Sequence, residues 1–301
     1  ADIDFAPNTT NIFEIELYGD VDGEKIELDK IQEMTYEGAK YYQVPGKGQA
    51  AIPVDDVYSL LKSFNTYDAY RNEEDKFIVK TYRAGVVSEM ENMKVKLKMS
   101  RKFSKFWKEI STFSSMENTS LPKATVANLR EYQTKGYGWL WFLYKYGLNG
   151  VLADDMGLGK TLQTLTLLQK AKEKDGKKTN LVICPTSVVF NWENEIEKFA
   201  PNLKFLNLTG VDRKSKFKNI HKYDIVITSY ALIRRDIEEI KKEDFRYVIL
   251  DESQNIKNFQ SQTSKAVKML NAKHKLALSG TPIENKLEEL WSVFDFLMPG
   301  F

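Results

Sequence analysis

The chain has 301 residues, of which 42% are hydrophobic, and this is enough material for one large domain or two unequal ones; we expect two. No apolar run reaches the roughly 18 residues of a membrane helix and the N-terminus lacks the features of a signal peptide, so a cytoplasmic protein without membrane contact is expected. The single cysteine, Cys184, excludes disulfides within the chain. The net charge of +2 is unevenly distributed: residues 1–120 carry 16 Lys or Arg against 21 Asp or Glu and are acidic, whereas the remainder carries 28 against 21 and is basic.

Residues 1–120 are predicted to form a smaller, β-rich α+β accessory domain. Short alternating strands are predicted at residues 12–17, 25–28 and 76–82, and helical spacing is present around residues 55–64. The polar segment 114–125 is the predicted linker.

The basic segment 92–108 has two interpretations. It holds seven basic and no acidic residues, with Lys94, Lys96 and Lys98 alternating as on one face of a strand. Such lysines grip a nucleic-acid backbone or simply protect a solvent-exposed strand edge, and the sequence does not decide between the two. The same holds for residues 212–222.

Residues 121–301 are predicted to form a parallel α/β sheet with helices on both faces. Short, continuous apolar runs are typical of strands that are covered on both sides, and amphipathic helical patterns lie between them. The runs are NGVLAD, NLVICP, YDIVITSY, RYVILDE and KLALSG. Five repeats of strand and helix favour a doubly wound fold, in which ligands bind beyond the carboxyl ends of the strands.

The segment ADDMGLGKT, residues 153–161, lies at such a strand end and resembles a phosphate-binding loop. Gly157 and Gly159 allow a tight turn around a phosphate, Lys160 is suited to the β- and γ-phosphates, and Thr161 is suited to Mg²⁺. Asp154 stands where the usual pattern has Gly, but the loop needs only a turn there. A Gly-Lys-Thr triplet also occurs by chance, so the loop alone does not establish that the chain binds a nucleotide.

Two adjacent carboxylates, Asp251 and Glu252, end the apolar run YVILDE. Adjacent acids at a strand end repel each other unless a cation lies between them. We predict that Asp251 holds Mg²⁺ and that Glu252 polarises the attacking water, as in hydrolases that use ATP for mechanical work. The alternative is a solvated strand end. Gln133, which precedes the loop, is predicted to pair with the adenine edge of ATP, although most helical glutamines are merely solvated.

Six segments in order carry a family resemblance. They are LREYQTKGYGWL, LADDMGLGKT, ICPTSVVFNWENEIEKF, ITSYAL, LDESQNIKN and LSGTPIENKLEELWSVFDFLMPG. Together they resemble the Swi/Snf-type ATPases of helicase superfamily two, especially the bacterial members, over residues 121–301. The resemblance implies the first RecA-like motor lobe, a P-loop NTPase fold, of a translocase that moves on double-stranded DNA and displaces bound proteins.

The resemblance also implies residue roles. It implies catalytic roles for Lys160, Asp251 and Glu252. It also implies that Ser279, Gly280 and Thr281 couple ATP hydrolysis to movement. ATP and Mg²⁺ are assigned to Gln133, Asp155, Met156, Gly157, Leu158, Gly159, Lys160, Thr161, Asp251 and Gln254.

Backbone phosphates of DNA are expected at two strand ends. The predicted contacts are Pro185, Thr186, Ser187, Thr228, Ser229 and Tyr230. Free amides and hydroxyls at a helix start suit a phosphate and carry no base information. Thr186 and Ser187 could equally cap their helix, and both roles can hold at once.

The sequence ends where the family's second RecA-like lobe would begin, and its first residue is Ala, so we expect a part of a longer protein. We predict that this part hydrolyses ATP poorly without the second lobe, which supplies arginines to the γ-phosphate. Two other functions stay open: a non-hydrolysing ATP-dependent clamp on nucleic acid, and an RNA-directed helicase of the same superfamily.

Overall fold

The computed structural model describes the chain except for residues 8, 10, 22, 45–47, 94, 113–118, 281–286, 300 and 301. The chain forms two compact units, Ala1–Phe113 and Ser114–Phe301. The sequence places this boundary after residue 120, a few residues further on, within the segment that we interpret as a linker.

The first unit is built around a five-stranded sheet. Its elements are β1 (Asp2–Phe5), β2 (Ile12–Glu16), β3 (Tyr18–Val21), β4 (Glu24–Glu27), α1 (Leu28–Tyr36), β5 (Tyr41–Val44), β6 (Gly48–Ala51), α2 (Val54–Thr66), β7 (Tyr70–Arg71), β8 (Phe77–Lys80), α3 (Gly85–Asn92), β9 (Lys98–Met99) and α4 (Arg101–Thr112). The strand order is β7-β8-β2-β1-β9, and β3-β4 and β5-β6 form separate two-stranded sheets. The predicted β-rich accessory domain is therefore present.

Aromatic side chains form much of the core of the first unit. Phe13 and Ile15 alternate inward along β2, as a half-buried strand requires. The rings of Phe103 and Phe106 on α4 pack 5.3 and 5.4 Å from the ring of Phe5. The apolar half of the basic segment 92–108 is thus core.

Of the three lysines that were predicted to alternate onto one face of a strand, the structure describes Lys96 and Lys98. Lys98 lies in the two-residue strand β9, and Lys96 is exposed just before that strand. Lys94 lies outside the described residues. Strand β9 has two residues and is therefore shorter than the predicted strand over three alternating lysines. Binding of a nucleic-acid backbone by this segment stays a prediction.

The second unit is a six-stranded parallel sheet with helices on both faces, which confirms the predicted fold class. Its elements are α5 (Glu131–Tyr146), β10 (Gly150–Leu152), α6 (Lys160–Asp175), β11 (Asn180–Cys184), α7 (Val189–Phe199), β12 (Phe205–Asn207), α8 (Arg213–Lys216), β13 (Ile225–Ser229), α9 (Tyr230–Ile240), β14 (Asp244–Leu250), α10 (Gln262–Lys268), β15 (Asn271–Leu278) and α11 (Leu287–Leu297). The strand order is β10-β15-β14-β11-β13-β12. All five apolar runs became strands, and the short edge strand β12 was not predicted.

Each face of the parallel sheet has its own apolar cluster. Along β11, Val182 and Cys184 join one cluster with residues of α5, α6 and α7, whereas Leu181 and Ile183 join the other with residues of α9, α10 and α11. This coverage on both sides is why the strands read as continuous apolar runs. Burial raises the pKa of the Cys184 thiol to about 12, as expected for a core cysteine.

The topology brings three strand ends together at one edge. Strand β15 lies between β10 and β14, with Leu152 opposite Leu278 and Leu250 opposite Ala277. Because neighbouring strands are about 4.8 Å apart, segments that leave β10 and β14 start about 10 Å from each other. In the described part of the chain, no helix has the length and apolar character needed to cross a membrane.

His274 is a buried titratable group in the core of the second unit. Its ring packs 4.7 Å from the ring of Tyr144 and 5.0 Å from that of Tyr247. Neither ring nitrogen has a hydrogen-bond partner among the described residues. Burial, followed by the nearby cations Lys273 and Arg246, lowers the pKa of His274 from 6.5 to about 3.

This lowered pKa predicts a pH dependence of stability. Between pH 6.5 and 3 the unfolded chain binds a proton at this histidine while the folded chain does not, so the stabilisation is complete above pH 6.5 and is lost as the pH falls. His274→Phe should remove about 2 kcal/mol of the decrease in unfolding free energy between pH 7 and pH 5. Urea unfolding at both pH values measures this.

The matched control for this prediction is His221→Phe, because His221 is exposed. If both variants show the wild-type decrease, His274 is not held neutral in the folded chain.

Candidate active site

The segment between β10 and α6 forms a glycine-shaped loop. Gly157 and Gly159 both have φ of +81°, a left-handed conformation that favours glycine, and Gly159 caps α6. Lys160 and Thr161 are the first residues of that helix, whose N-terminal amides face the loop. Asp155, Met156 and Gly157 are exposed, while Leu158 is half-buried.

The ammonium group of Lys160 is turned toward the loop itself. Its Nζ donates to the carbonyl oxygens of Asp154 at 2.6 Å and Asp155 at 3.0 Å. The side chain is therefore positioned inside the concave face of the loop. A bound anion there would replace the two carbonyl oxygens as the hydrogen-bond acceptor of the ammonium group.

Asp154 anchors the start of the loop to α6. Its Oδ2 accepts a hydrogen bond of 2.9 Å from Nε2 of Gln163, a buried side chain one turn into the helix. The Asp in place of the usual Gly therefore has a structural function here. Gly136 on α5 allows this arrangement, because a Cβ at that position would lie 1.9 Å from Oε1 of Gln163.

Gln133 lies against the loop, as its position in the sequence suggested. Its Nε2 donates to the carbonyl oxygen of Leu158 at 3.1 Å, and its Oε1 accepts from the backbone N–H of Arg130 at 2.9 Å. A Cβ on Gly159 would lie 2.5 Å from the same Nε2. The glutamine thus fixes the start of α5 to the phosphate-binding loop.

Asp251 follows β14 and is held by donors from three parts of the chain. Oδ2 accepts from Nε1 of Trp192 at 2.7 Å, Oδ1 accepts from the backbone N–H of Glu252 at 3.0 Å, and the carbonyl oxygen accepts from the hydroxyl of Tyr230 at 2.7 Å. Burial is the main reason that the pKa of Asp251 is raised above its usual value, and the charge of Lys160 acts in the opposite direction.

Glu252 has an unusual backbone. Its φ of +51° and ψ of +59° are left-handed, which is uncommon for a residue with a side chain and frequent at functional sites. Its Oε2 accepts from Nε2 of Gln254 at 2.8 Å, and its carbonyl oxygen accepts from Nδ2 of Asn255. The half-exposed carboxylate is thus directed by the turn that follows the strand.

Ser279 and Gly280 connect the acidic turn to the phosphate-binding loop. The Ser279 hydroxyl donates to Oε1 of Gln254 at 3.3 Å, and its backbone N–H donates to the carbonyl oxygen of Leu152 at 3.1 Å. A Cβ on Gly280 would lie 3.0 Å from Cγ of Met156 in the loop. Thr281, the third residue of the predicted coupling element, lies outside the described residues.

The two predicted DNA-contacting strand ends differ in exposure. Thr186 and Ser187 are exposed in a short 3-10 turn, Thr186–Val188, that leads into α7, and the N-cap of that helix is Val188. Thr228, Ser229 and Tyr230 are buried, so their side chains do not line the surface. Only the first segment, which starts with the half-buried Pro185, presents hydroxyls to solvent.

Sequence reasoning missed two functional contacts. Neither Trp192, on the buried face of α7, nor Gln163, on α6, was singled out from the sequence. An indole N–H on an otherwise apolar helix face was the available signal, because a buried Trp usually finds an acceptor. The partner, 59 positions away, could not be read from spacing.

Comparisons with known proteins agree with this geometry. The family model described as "SNF2-related domain" matches residues 132–301. TATA-binding protein-associated factor mot1 of Schizosaccharomyces pombe is 43% identical over 211 residues, which cover 65% of this chain and 11% of that protein. Helicase swr1 of the same organism is 48% identical over 177 residues, covering 57% and 14%. The chain thus spans about a tenth of the length of these relatives.

A solved structure is similar as well. The Sulfolobus solfataricus SWI2/SNF2 ATPase core in complex with dsDNA has 49% sequence identity and a TM-score of 0.56, and the match covers 60% of this chain and 37% of that one. The likeness therefore includes both sequence and fold.

The two loop glycines provide a matched test of the loop geometry. Both have φ of +81°, but a Cβ on Gly157 meets nothing within 4 Å, whereas one on Gly159 would displace Gln133. We predict that Gly157→Ala lowers the unfolding free energy by about 1 kcal/mol from backbone strain. Gly159→Ala should cost about 1 kcal/mol more, because the end of the Gln133 side chain must move away and lose its hydrogen bond to Leu158. Equal losses in urea unfolding would show that Gln133 does not pack against the loop.

Proposed function

Because this chain belongs to the family of SNF2-related domains, we propose that it is the ATP-binding lobe of an ATP-dependent ATPase that translocates on double-stranded DNA and remodels bound proteins. One observation carries the proposal: the phosphate-binding loop after β10 and the acidic turn after β14 flank the end of β15. Ser279, directly after β15, hydrogen-bonds to Leu152 at the end of β10 and to Gln254 in the acidic turn. Such convergence is what hydrolysis of a bound triphosphate requires.

In this proposal the loop binds the phosphates of ATP. The amides of Gly157, Gly159 and the start of α6 face the anion, and Lys160 exchanges its two carbonyl acceptors for the β- and γ-phosphates. Gln133 retains one amide hydrogen and one acceptor lone pair beyond its contacts in the chain, and these match the adenine edge.

The residues at the site fit Mg²⁺, which takes one or two carboxylates together with phosphate oxygens and water. Each carboxylate oxygen of Asp251 accepts one hydrogen bond and so keeps a free lone pair, and Thr161 offers a hydroxyl at the start of α6. No group of three or more His, Cys, Asp or Glu is positioned for a metal within the described residues, so an ion held mainly by protein is not favoured. When bound, Mg²⁺ would neutralise charge on the β- and γ-phosphates.

Glu252 is proposed to orient and polarise the water that attacks the γ-phosphate. Its carboxylate is half-exposed and, among the residues that the structure describes, accepts from one side-chain donor, Gln254, so it can accept from a water as well. Gln254 in turn accepts from Ser279, and this chain of contacts leads from the reacting end of the nucleotide to the segment after β15. That path is proposed to couple hydrolysis to movement of a second RecA-like lobe.

Double-stranded DNA is the proposed track, and the similar Sulfolobus ATPase core is in complex with dsDNA. The exposed hydroxyls of Thr186 and Ser187 are the proposed contacts to a backbone phosphate. Thr228, Ser229 and Tyr230 are retained in the proposal only through their backbone, since their side chains are buried. A DNA-bound protein as target is consistent with the name of the mot1 relative, TATA-binding protein-associated factor.

Origin and location stay predictions. The relatives reported above are eukaryotic and archaeal, so the expected closer likeness to bacterial members has no support from them. The predicted cytoplasmic or nucleoid-associated location likewise stays a prediction.

Glu252→Gln separates hydrolysis from binding. With a second RecA-like lobe present, we expect ATP turnover to fall at least about 100-fold, because the amide cannot polarise water. Equilibrium binding of ATP should change little, since Lys160 and the loop are intact. Glu197→Gln, at an exposed position on α7, is the matched control. Unchanged turnover in Glu252→Gln would contradict the role of Glu252, and intact ATP binding without turnover in the wild type would favour the non-hydrolysing clamp.

The dependence on the second lobe can be measured directly. We expect the 301-residue chain alone to bind ATP weakly and hydrolyse it poorly, and the chain joined to a second lobe to turn over about a thousandfold faster or more. Stimulation by duplex DNA and by duplex RNA at the same salt concentration then tests the track. Fast turnover by the chain alone, or stimulation only by RNA, would contradict the proposal.

A further inference from the structure

Asp251 is held by two aromatic donors that come from different helices. Trp192, on α7, is fully buried and donates its indole N–H to Oδ2 at 2.7 Å. Tyr230, the first residue of α9, donates its hydroxyl to the carbonyl oxygen of Asp251 at 2.7 Å. The side chain and the backbone of the acid are thus fixed by separate elements.

Both contacts lie in buried surroundings. The backbone N–H of Asp251 also donates to the carbonyl oxygen of Ile183 at 2.8 Å, so the sheet holds the residue from the opposite side. Hydrogen bonds to an ionised, buried carboxylate are stronger than neutral ones, and little water is available to replace them. Loss of either donor therefore leaves Asp251 less precisely oriented.

A purely structural role does not account for the indole. Trp192 packs in the apolar cluster that also includes Cys184, Val189 and Ile196, and nothing in that cluster requires the polar N–H that the indole carries. Tyr230 shows the same pattern, because its ring joins the opposite cluster while its hydroxyl contacts the acid. In both residues the polar atom is directed at Asp251.

The two donors also lie close in sequence to the two predicted DNA-contacting strand ends, Trp192 in the helix after the first and Tyr230 as the last residue of the second. The exposed turn Thr186–Val188 leads directly into α7, and Ser229 ends β13 immediately before Tyr230. A shift of either segment on a backbone phosphate would move the helix that carries the donor. The site that senses DNA and the acid assigned to Mg²⁺ are therefore joined by one side chain on each path.

We propose that Trp192 and Tyr230 are positioning residues that hold Asp251 in the orientation for Mg²⁺ and transmit contact with duplex DNA to that carboxylate. This inference rests on the proposed function of the site. It assigns a role to two side chains that touch neither nucleotide nor DNA.

The first experiment compares nucleotide affinity with and without Mg²⁺. The dissociation constant of a non-hydrolysable ATP analogue is measured for the 301-residue chain in excess Mg²⁺ and in a chelator. In wild type, Mg²⁺ should tighten binding. In Trp192→Phe we expect the Mg²⁺-dependent gain to fall about tenfold, while affinity in the chelator stays unchanged because Lys160 and the loop are intact. Trp141→Phe, a matched change in a residue packed on the same cluster, should keep the full gain.

Tyr230→Phe is the second variant, because it deletes only the hydroxyl and leaves the packing in place. It should lower the Mg²⁺-dependent gain in the same direction, and it keeps the test decisive if Trp192→Phe does not fold. Full wild-type gain in a folded Trp192→Phe or in Tyr230→Phe would overturn the positioning role.

The second experiment observes the indole itself. The chain has five Trp residues, and the Nε1–H resonance of Trp192 is assigned as the one that disappears in Trp192→Phe. We expect this resonance to shift when duplex DNA is added without nucleotide, whereas the resonance of Trp107 in the first unit should not. A Trp192 resonance that is insensitive to DNA would overturn the transmission path.

The outcomes also separate this inference from the proposed function. If wild type shows no Mg²⁺-dependent binding of the analogue, the proposed function itself fails. If wild type shows that binding and both variants retain it, the function stands and only the role of Trp192 and Tyr230 is wrong.

Discussion

The organisation of the second unit depends on one electrostatic constraint: a carboxylate, Asp251, lies buried at the carboxyl edge of a parallel sheet. A buried charge is unfavourable unless hydrogen bonds or an opposite charge compensate it. Here the compensation comes from an indole, a backbone amide and the field of Lys160. These groups belong to α7, the turn after β14 and the start of α6, so satisfying one side chain fixes three elements relative to the sheet edge.

The strand order converts this local constraint into a site. Because β15 is inserted between β10 and β14, the phosphate-binding loop and the acidic turn lie on either side of a single strand end. Ser279 and Gly280, at that end, contact Leu152 and Gln254 and approach Met156. A movement of either the phosphate-binding loop or the acidic turn would therefore move this segment. Such a segment is suited to the proposed coupling between the nucleotide site and a second lobe.

The sequence predicted those parts of the structure that depend on local pattern. Continuous apolar runs identified five of the six strands of the parallel sheet, and the glycines with Lys160 identified the loop, because each signal lies within a few residues. Strand β12 was missed because three residues at a sheet edge leave no periodicity. Contacts between distant segments, such as Trp192 with Asp251 or Gln163 with Asp154, depend on how helices cross the sheet. The burial of Thr228 and Ser229 could not be predicted from the sequence for the same reason. A Ser or Thr at a strand end is compatible with either the surface or the interior.

The left-handed backbone of Glu252 has a consequence for how this position can change during evolution. Glycine would adopt that conformation with less strain, by roughly 1 kcal/mol, and would make the fold more stable at this point. It would also delete the carboxylate. If Glu252 has the proposed catalytic role, folding and chemistry favour different residues at position 252. A lineage released from the need to hydrolyse a nucleotide would therefore be expected to drift toward glycine, or toward asparagine, at this site before it lost the surrounding sheet.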